Sequence, residues 1–160
     1  MIFVTVGTQL AFDRMVLTVD QWAQQQGRDD VVAQIGFEAK RPSHIQWVEH
    51  MSPQECERHV SECELLVAHA GTGSIFSAMR HRKPIIIMPR RASLGEHRNE
   101  HQLATAKHFA AKAHVIVAWD EQELVDYLSH PEKVKVGTDF TPYAEPSLTQ
   151  AIRDFIDGGV

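Results

Sequence analysis

The sequence predicts a doubly wound, Rossmann-like α/β domain, with a parallel sheet covered by helices on both faces. Three observations predict it. Short, mostly apolar runs at Ile2–Val6, Val31–Ile35, Glu64–Ala68 and Pro84–Met88 are near-continuous, as strands buried on both faces require. Segments with helical spacing separate them, so strand and helix alternate. The run Leu65–His69 then leads through Ala70-Gly71-Thr72-Gly73-Ser74, a pattern in which a strand delivers a Gly-x-Gly turn to a helix start.

Taken in order, Ile2–Val6 is a β-branched first strand closed by Gly7-Thr8. Phe12, Met15, Val16, Val19 and Ala23 share one helical face, and that helix stops at Gly27. Val31–Ile35 and Ile45–Val48 are the second and third strands. Ser52-Pro53-Gln54-Glu55 is a capping box with proline in the first turn, a firm helix start. Glu64–Ala68 is a strand, Ser74–His81 a helix and Pro84–Met88 a strand. A polar loop leads into a helix from Asn99 to Lys112, with Leu103, Ala106, Phe109 or Ala110, and Ala113 on one side. Val115–Ala118, Glu121–Leu128 and an amphipathic segment holding Leu148, Ile152, Phe155 and Ile156 complete the pattern. Pro131–Pro146, rich in Gly, Thr and Pro, reads as a connector.

With 160 residues and 43% apolar composition, the chain is expected to form one domain over 1–160, ending in a helix over 147–158 that either docks on a partner or packs onto its own sheet. The net charge of −5, with no long block of one sign, argues against nucleic acid as a partner. Arg80, Arg82, Lys83, Arg90 and Arg91 form a local basic run, either a site for phosphates or an anionic membrane face, or a solvated rim. Cys56 and Cys63 fit neither a disulfide framework nor a zinc knuckle, which suits a reducing cytoplasm. Met1–Gly7 lacks the basic leader of a signal peptide, and no run has membrane-spanning length, so membrane association is expected to come through a partner.

In a doubly wound sheet, ligands sit beyond the carboxyl ends of the strands. The loops expected there carry Gly7-Thr8, His69–Ser74 and Pro89–Gln102. Glycines allow close approach of backbone N–H groups to a phosphate, Ser74 adds a hydroxyl, and a helix start adds free N–H groups and a positive dipole end. The same Gly-x-Gly also serves a plain tight turn. Gly95–Gln102 is dense in hydrogen-bonding groups: Glu96, Asn99, Glu100 and Gln102 suit sugar hydroxyls, and Asn99 with Gln102 also fits a helix capping box. His97-Arg98-Asn99-Glu100-His101 matches the H-x-x-E-H pattern of inverted zinc peptidases, but it sits at a helix entrance with no third ligand helix after it, so no metal site is expected.

Together Met1–Thr8, Phe12-Asp13-Arg14, Ala68–Ser74, Lys83-Pro84, Pro89-Arg90 and Gly95–Gln102 resemble the C-terminal, donor-binding domain of GT-B glycosyltransferases of family 28. The likeness extends to small catalytic subunits of two-part UDP-N-acetylglucosamine transferases and of bacterial exopolysaccharide transferases. The resemblance implies an inverting transfer of sugar from a UDP-sugar donor to a lipid-pyrophosphate-linked acceptor, with neither metal nor cofactor. His69 and Gly71, Thr72, Gly73 and Ser74 would face the diphosphate, with His101 and Gln102 at the donor sugar. Gly7, Thr8 and Arg90 would border the site, and Glu96, His97, Asn99 and Glu100 would line its loop. Many relatives hold the ribose with a glutamate on the helix after the glycine turn; the corresponding position here reads as Ala78, which leaves that contact open or moves it to Glu96 or Glu100.

A GT-B enzyme closes its site between two Rossmann-like halves, and this chain supplies one. The resemblance therefore implies a membrane-anchored partner subunit as the other half, and a location in the cytoplasm at the inner membrane face. No general base is assigned in this chain. The alternative is a non-catalytic accessory subunit that enhances a partner transferase.

Overall fold

The computed structural model describes residues 1–111 and 115–136. Its strands are β1 (Ile2–Thr5), β2 (Val31–Gln34), β3 (Gln46–Val48), β4 (Leu65–His69), β5 (Ile85–Met88) and β6 (Ile116–Val117). Between and after them run α1 (Asp13–Gln26), α2 (Pro53–Glu62), α3 (Thr72–Arg80), α4 (His101–Ala111) and α5 (Glu121–Ser129). All pairings are parallel, in the order β3-β2-β1-β4-β5-β6. The strand order reverses between β1 and β4, which opens a crevice at their carboxyl ends.

Alternation along each strand sorts the core into two layers. Ile2, Val4, Val67, Ile86 and Met88 pack with α1 and α5 on one face. Phe3, Leu66, Ala68, Ile85 and Ile87 pack with α2, α3 and α4 on the other. Apolar residues on both faces of the same strands explain why the runs read as continuous in the sequence.

The predicted helix signals hold where they are local. Ser52 Oγ accepts from Glu55 N–H and the Glu55 carboxylate accepts from Ser52 N–H, completing the capping box. Gly27, at φ 64°, closes α1 in the left-handed conformation. Two boundaries differ from expectation. Helix α3 starts at Thr72, because extended Gly71 serves as its N-cap and draws Gly73 and Ser74 into the first turn. Helix α4 starts at His101, whose N–H is taken by Asn99 Oδ1, while the Gln102 side chain turns away from a capping box to accept from Arg90 N–H.

Asp20, buried on α1, fixes the segment leading into β3. Its carboxylate accepts from the N–H groups of Ser43, His44 and Ile45 and from Ser43 Oγ, at 2.8 to 3.1 Å. Burial opposes its charge, but those bonds outweigh burial and hold the carboxyl below its ordinary range. Asp20→Ala is expected to lower stability by about 2 kcal/mol in urea unfolding, since three backbone donors, that of Ile45 buried, lose a charged acceptor. The carboxyl is depressed in the fold, so its contribution is present above the unfolded value of 3.8 and fades as pH falls through the folded value.

The basic run does not form one patch. Lys83 precedes β5 and Arg90 follows it, so the two clusters occupy opposite ends of the strand. Among the described residues no helix is long and apolar enough to cross a membrane. The predicted docking helix over 147–158, and the end of α4 at Lys112 and Ala113, lie outside the described residues.

Candidate functional site

The crevice at the strand-order reversal is a cavity of about 750 Å³. Its first wall comes from Gly7 and Thr8 after β1, its second from His69 through Ser74, and its third from Arg90, His97, His101 and Gln102. Eleven of the fourteen residues predicted as a site thus border one space: Gly7, Thr8, His69, Gly71, Thr72 and Gly73, with Ser74, Arg90, His97, His101 and Gln102. Glu96, Asn99 and Glu100 do not.

His69 ends β4 with its ring held between two glycines. A Cβ on Gly7 would lie 2.6 Å from His69 Cε1, and one on Gly71 would overlap the ring, 2.9 Å from Cδ2 and Cε1. Gly7 also has φ +78°, which a larger residue rarely adopts. Burial first, and then the nearby Arg90 guanidinium, push the imidazole down from 6.5 to about 4, so the ring is neutral at pH 7. Its Nδ1 is sealed from solvent with no partner among the described residues.

Neutral burial makes a pH prediction. The unfolded chain protonates this histidine near 6.5 and the folded chain only near 4, so between those values the unfolded state binds more protons. The contribution of His69 to stability is therefore lost as pH falls from 6.5 to 4. Urea unfolding at pH 7, 6 and 5 is expected to show the decline, and His69→Gln is expected to flatten it.

Helix α3 opens onto the cavity with no side chain capping it. Ile75 N–H is the first to bond back, onto the Gly71 carbonyl, so the N–H groups of Thr72, Gly73 and Ser74 lack intrahelical partners. A Cβ on Gly73 would meet nothing within 4 Å. Three donors and the positive end of a helix dipole suit an anion.

Arg90 is 2% exposed and is tied to the first loop: its Nη2 donates to the carbonyl of Val6, at 2.9 Å, and to that of Leu10. Its guanidinium lies 5.2 Å over the Phe12 ring, and Arg14 covers the same ring at 5.4 Å. Burial lowers Arg90 to about 10, which leaves it charged at pH 7. Gln102 Oε1 accepts from Arg90 N–H at 3.0 Å, so the amide is oriented by the backbone of the loop it faces.

Three predicted residues lie outside the cavity lining, and two of them have other partners. Glu96 is gripped by Arg14, Nε to Oε1 at 2.6 Å and Nη2 to Oε2 at 2.9 Å, and also accepts from Arg91 N–H. Asn99 caps α4 and Glu100 is exposed at its approach. The H-x-x-E-H residues do not share a helix, since His97 precedes α4 and His101 begins it. Among the described residues no three His, Cys, Asp or Glu side chains gather as a metal site.

Sequence reasoning missed the cavity's other arm. Helix α2 contributes Cys56, Glu57 and Val60, and α3 contributes Ser77, over a floor of Phe3 and Leu66. The signal was weak because α2 reads as a polar surface helix, and only the sheet order brings it beside α3.

Residues 1–135 match the family described as Glycosyltransferase family 28 C-terminal domain. No protein with a curated description matches. Among solved structures, an NMR solution structure of ALG13 is similar at 20% identity, covering 95% of this chain and 94% of that one, with a TM-score of 0.60. MurG of Acinetobacter baumannii is similar at 16% identity, covering 98% of this chain and 49% of that one, with a TM-score of 0.61. The glycotransferase of kitacinnamycin is similar at 17% identity, covering 83% and 36%, with a TM-score of 0.59. At these identities the shared property is the fold. The chain spans nearly all of the ALG13 structure, about half of MurG and about a third of the kitacinnamycin enzyme.

Proposed function

Because the chain belongs to the glycosyltransferase family 28 C-terminal domains, the donor-binding part of a glycosyltransferase, we propose that its cavity binds a UDP-sugar and presents it for inverting transfer to a lipid-pyrophosphate-linked acceptor. The observation that carries this reading is the unpartnered start of α3 facing the cavity beside neutral His69 and charged Arg90. In this reading the diphosphate rests on the N–H groups of Thr72, Gly73 and Ser74, with Gly7, Thr8 and Gly71 keeping the approach narrow. His97, His101 and Gln102 face the hexose.

As the bond from the anomeric carbon to the diphosphate breaks, negative charge grows on the leaving oxygen. Donors aimed there before the reaction stabilise that charge without reorganising. The acceptor hydroxyl and the base that takes its proton belong to the other half of the enzyme. We assign that half to a membrane-anchored partner subunit in surface polysaccharide or glycolipid assembly, which would hold this chain, as a single domain over 1–160, at the cytoplasmic membrane face. The predicted helix over 147–158 would make the contact.

Gly73→Leu tests the donor site. The open space around this position and the better helix propensity of leucine predict an unchanged or raised melting temperature. UDP affinity by calorimetry is expected to fall about hundredfold, as two or more charge-assisted bonds are lost. Unchanged affinity would overturn the assignment.

A further inference from the structure

We infer that Arg90 is a positioning residue for the cavity: its guanidinium holds the loop after β1 in one shape, so that the first and third walls stand at a set distance before any ligand arrives. The inference rests on the nucleotide-binding reading above and adds a residue that acts through the loop it holds, not by contact with the donor.

It begins from how little else holds that loop. Gly7, Thr8 and Gln9 border the cavity, yet among the described residues Gly7 through Ala11 make no backbone-to-backbone hydrogen bond. Side chains tie the near end. Gly7 N–H donates to Thr5 Oγ1 at 3.2 Å, and Gln34 Nε2 donates to the Gly7 carbonyl at 3.0 Å. The far end is tied by Arg90, whose Nη2 alone donates to the carbonyls of both Val6 and Leu10 and so closes the loop across its base. A loop without such ties would have to be ordered at the expense of ligand binding.

Length explains why arginine stands here. In the strand order β4 lies between β5 and β1, so a side chain leaving β5 crosses two strand spacings, about 9 to 10 Å, to reach the β1 loop. An arginine and one hydrogen bond cover that span, whereas lysine is one bond shorter and ends in a compact head. Both ends of the side chain are also fixed. Gln102 Oε1 accepts from Arg90 N–H, and the Phe12 ring faces the guanidinium at 5.2 Å.

A competing role for Arg90 is to meet the diphosphate with its own charge. Arg90→Lys separates the two roles, because it keeps the charge and loses the span. In the full chain without ligand, amide relaxation is expected to give Thr8, Gln9 and Leu10 order parameters of about 0.85 in wild type and below about 0.6 in Arg90→Lys. Calorimetry is expected to show the variant binding UDP about tenfold more weakly, since its loop must be ordered on binding. Affinity within about twofold of wild type would overturn the inference, and so would a tenfold loss with the loop still ordered. Should the lysine variant fail to fold, wild type remains a test: its three amides are expected to be as ordered before UDP as at saturation, and a loop that orders only with UDP would refute the role. These outcomes leave the donor site standing. No UDP binding by wild type would overturn both readings.

Discussion

Gly71→Ala is expected to cost about 2 to 3 kcal/mol of stability and to remove UDP binding. A Cβ at this position overlaps the His69 ring, and the same ring packs so closely on Gly7 that a Cβ there would come within 2.6 Å of Cε1, which leaves the ring little room to shift. Overpacking of a rigid site costs about 1 to 3 kcal/mol, and alanine is a poorer N-cap than glycine. The backbone of Gly71 is extended, at φ −97°, so the requirement for glycine is one of space and not of conformation. Double-mutant analysis makes the cause visible. His69→Ala in the same chain removes the ring that the new methyl strikes, so the pair is expected to be more stable than the sum of the single losses by about 1 to 2 kcal/mol. Strict additivity would show that the glycine is needed for the start of α3 alone. The contrast with Gly73→Leu is direct: two glycines in one motif, one serving the protein's own packing and the other leaving open space.

That contrast shows which parts of the molecule a linear sequence exposes. Gly71 and Gly73 look alike in a Gly-x-Gly pattern, and their difference depends on where the His69 ring lies. The capping box at Ser52 and the stop at Gly27 were legible because every participant lies within a few residues. The parallel strands were legible because burial on both faces leaves an uninterrupted apolar run. Glu96 was readable as a polar loop residue, yet its partner Arg14 lies 82 residues earlier on α1, and nothing local announces the pair. Gln102 fitted a capping box by spacing, but the competing donor, Arg90 N–H, reaches it only once β5 is in place. The start of α3 was misplaced by two residues because glycine signals a turn, whereas here a glycine N-cap lets the helix begin at once.

Arg14→Ala is expected to be the most destabilising charge removal in the described structure, at about 3 to 5 kcal/mol. Both Arg14 and Glu96 are only 13% exposed, so deletion of the guanidinium leaves a carboxylate with little water to replace it. The same substitution removes the donor to the Pro89 carbonyl at 3.2 Å and the outer contact to Glu121 at 3.4 Å. Burial works against the Arg14 charge, but the hydrogen bond and charge of Glu96 outweigh it and raise the guanidinium above its ordinary value. Arg14→Lys keeps the charge and loses the two-pronged geometry, so an intermediate loss is expected. Arg14→Ala combined with Glu96→Gln is expected to recover part of the stability, because the stranded charge is gone. Hydrogen exchange locates the effect: Arg91 N–H, which Glu96 accepts, is expected to lose protection in Arg14→Ala while the amides of β1 and β4 keep theirs. Uniform loss across the sheet, or full protection at Arg91, would refute a local clamp. Since the clamped loop carries Arg90 and His97 to the cavity, weakened UDP binding is expected to accompany the loss at Arg91.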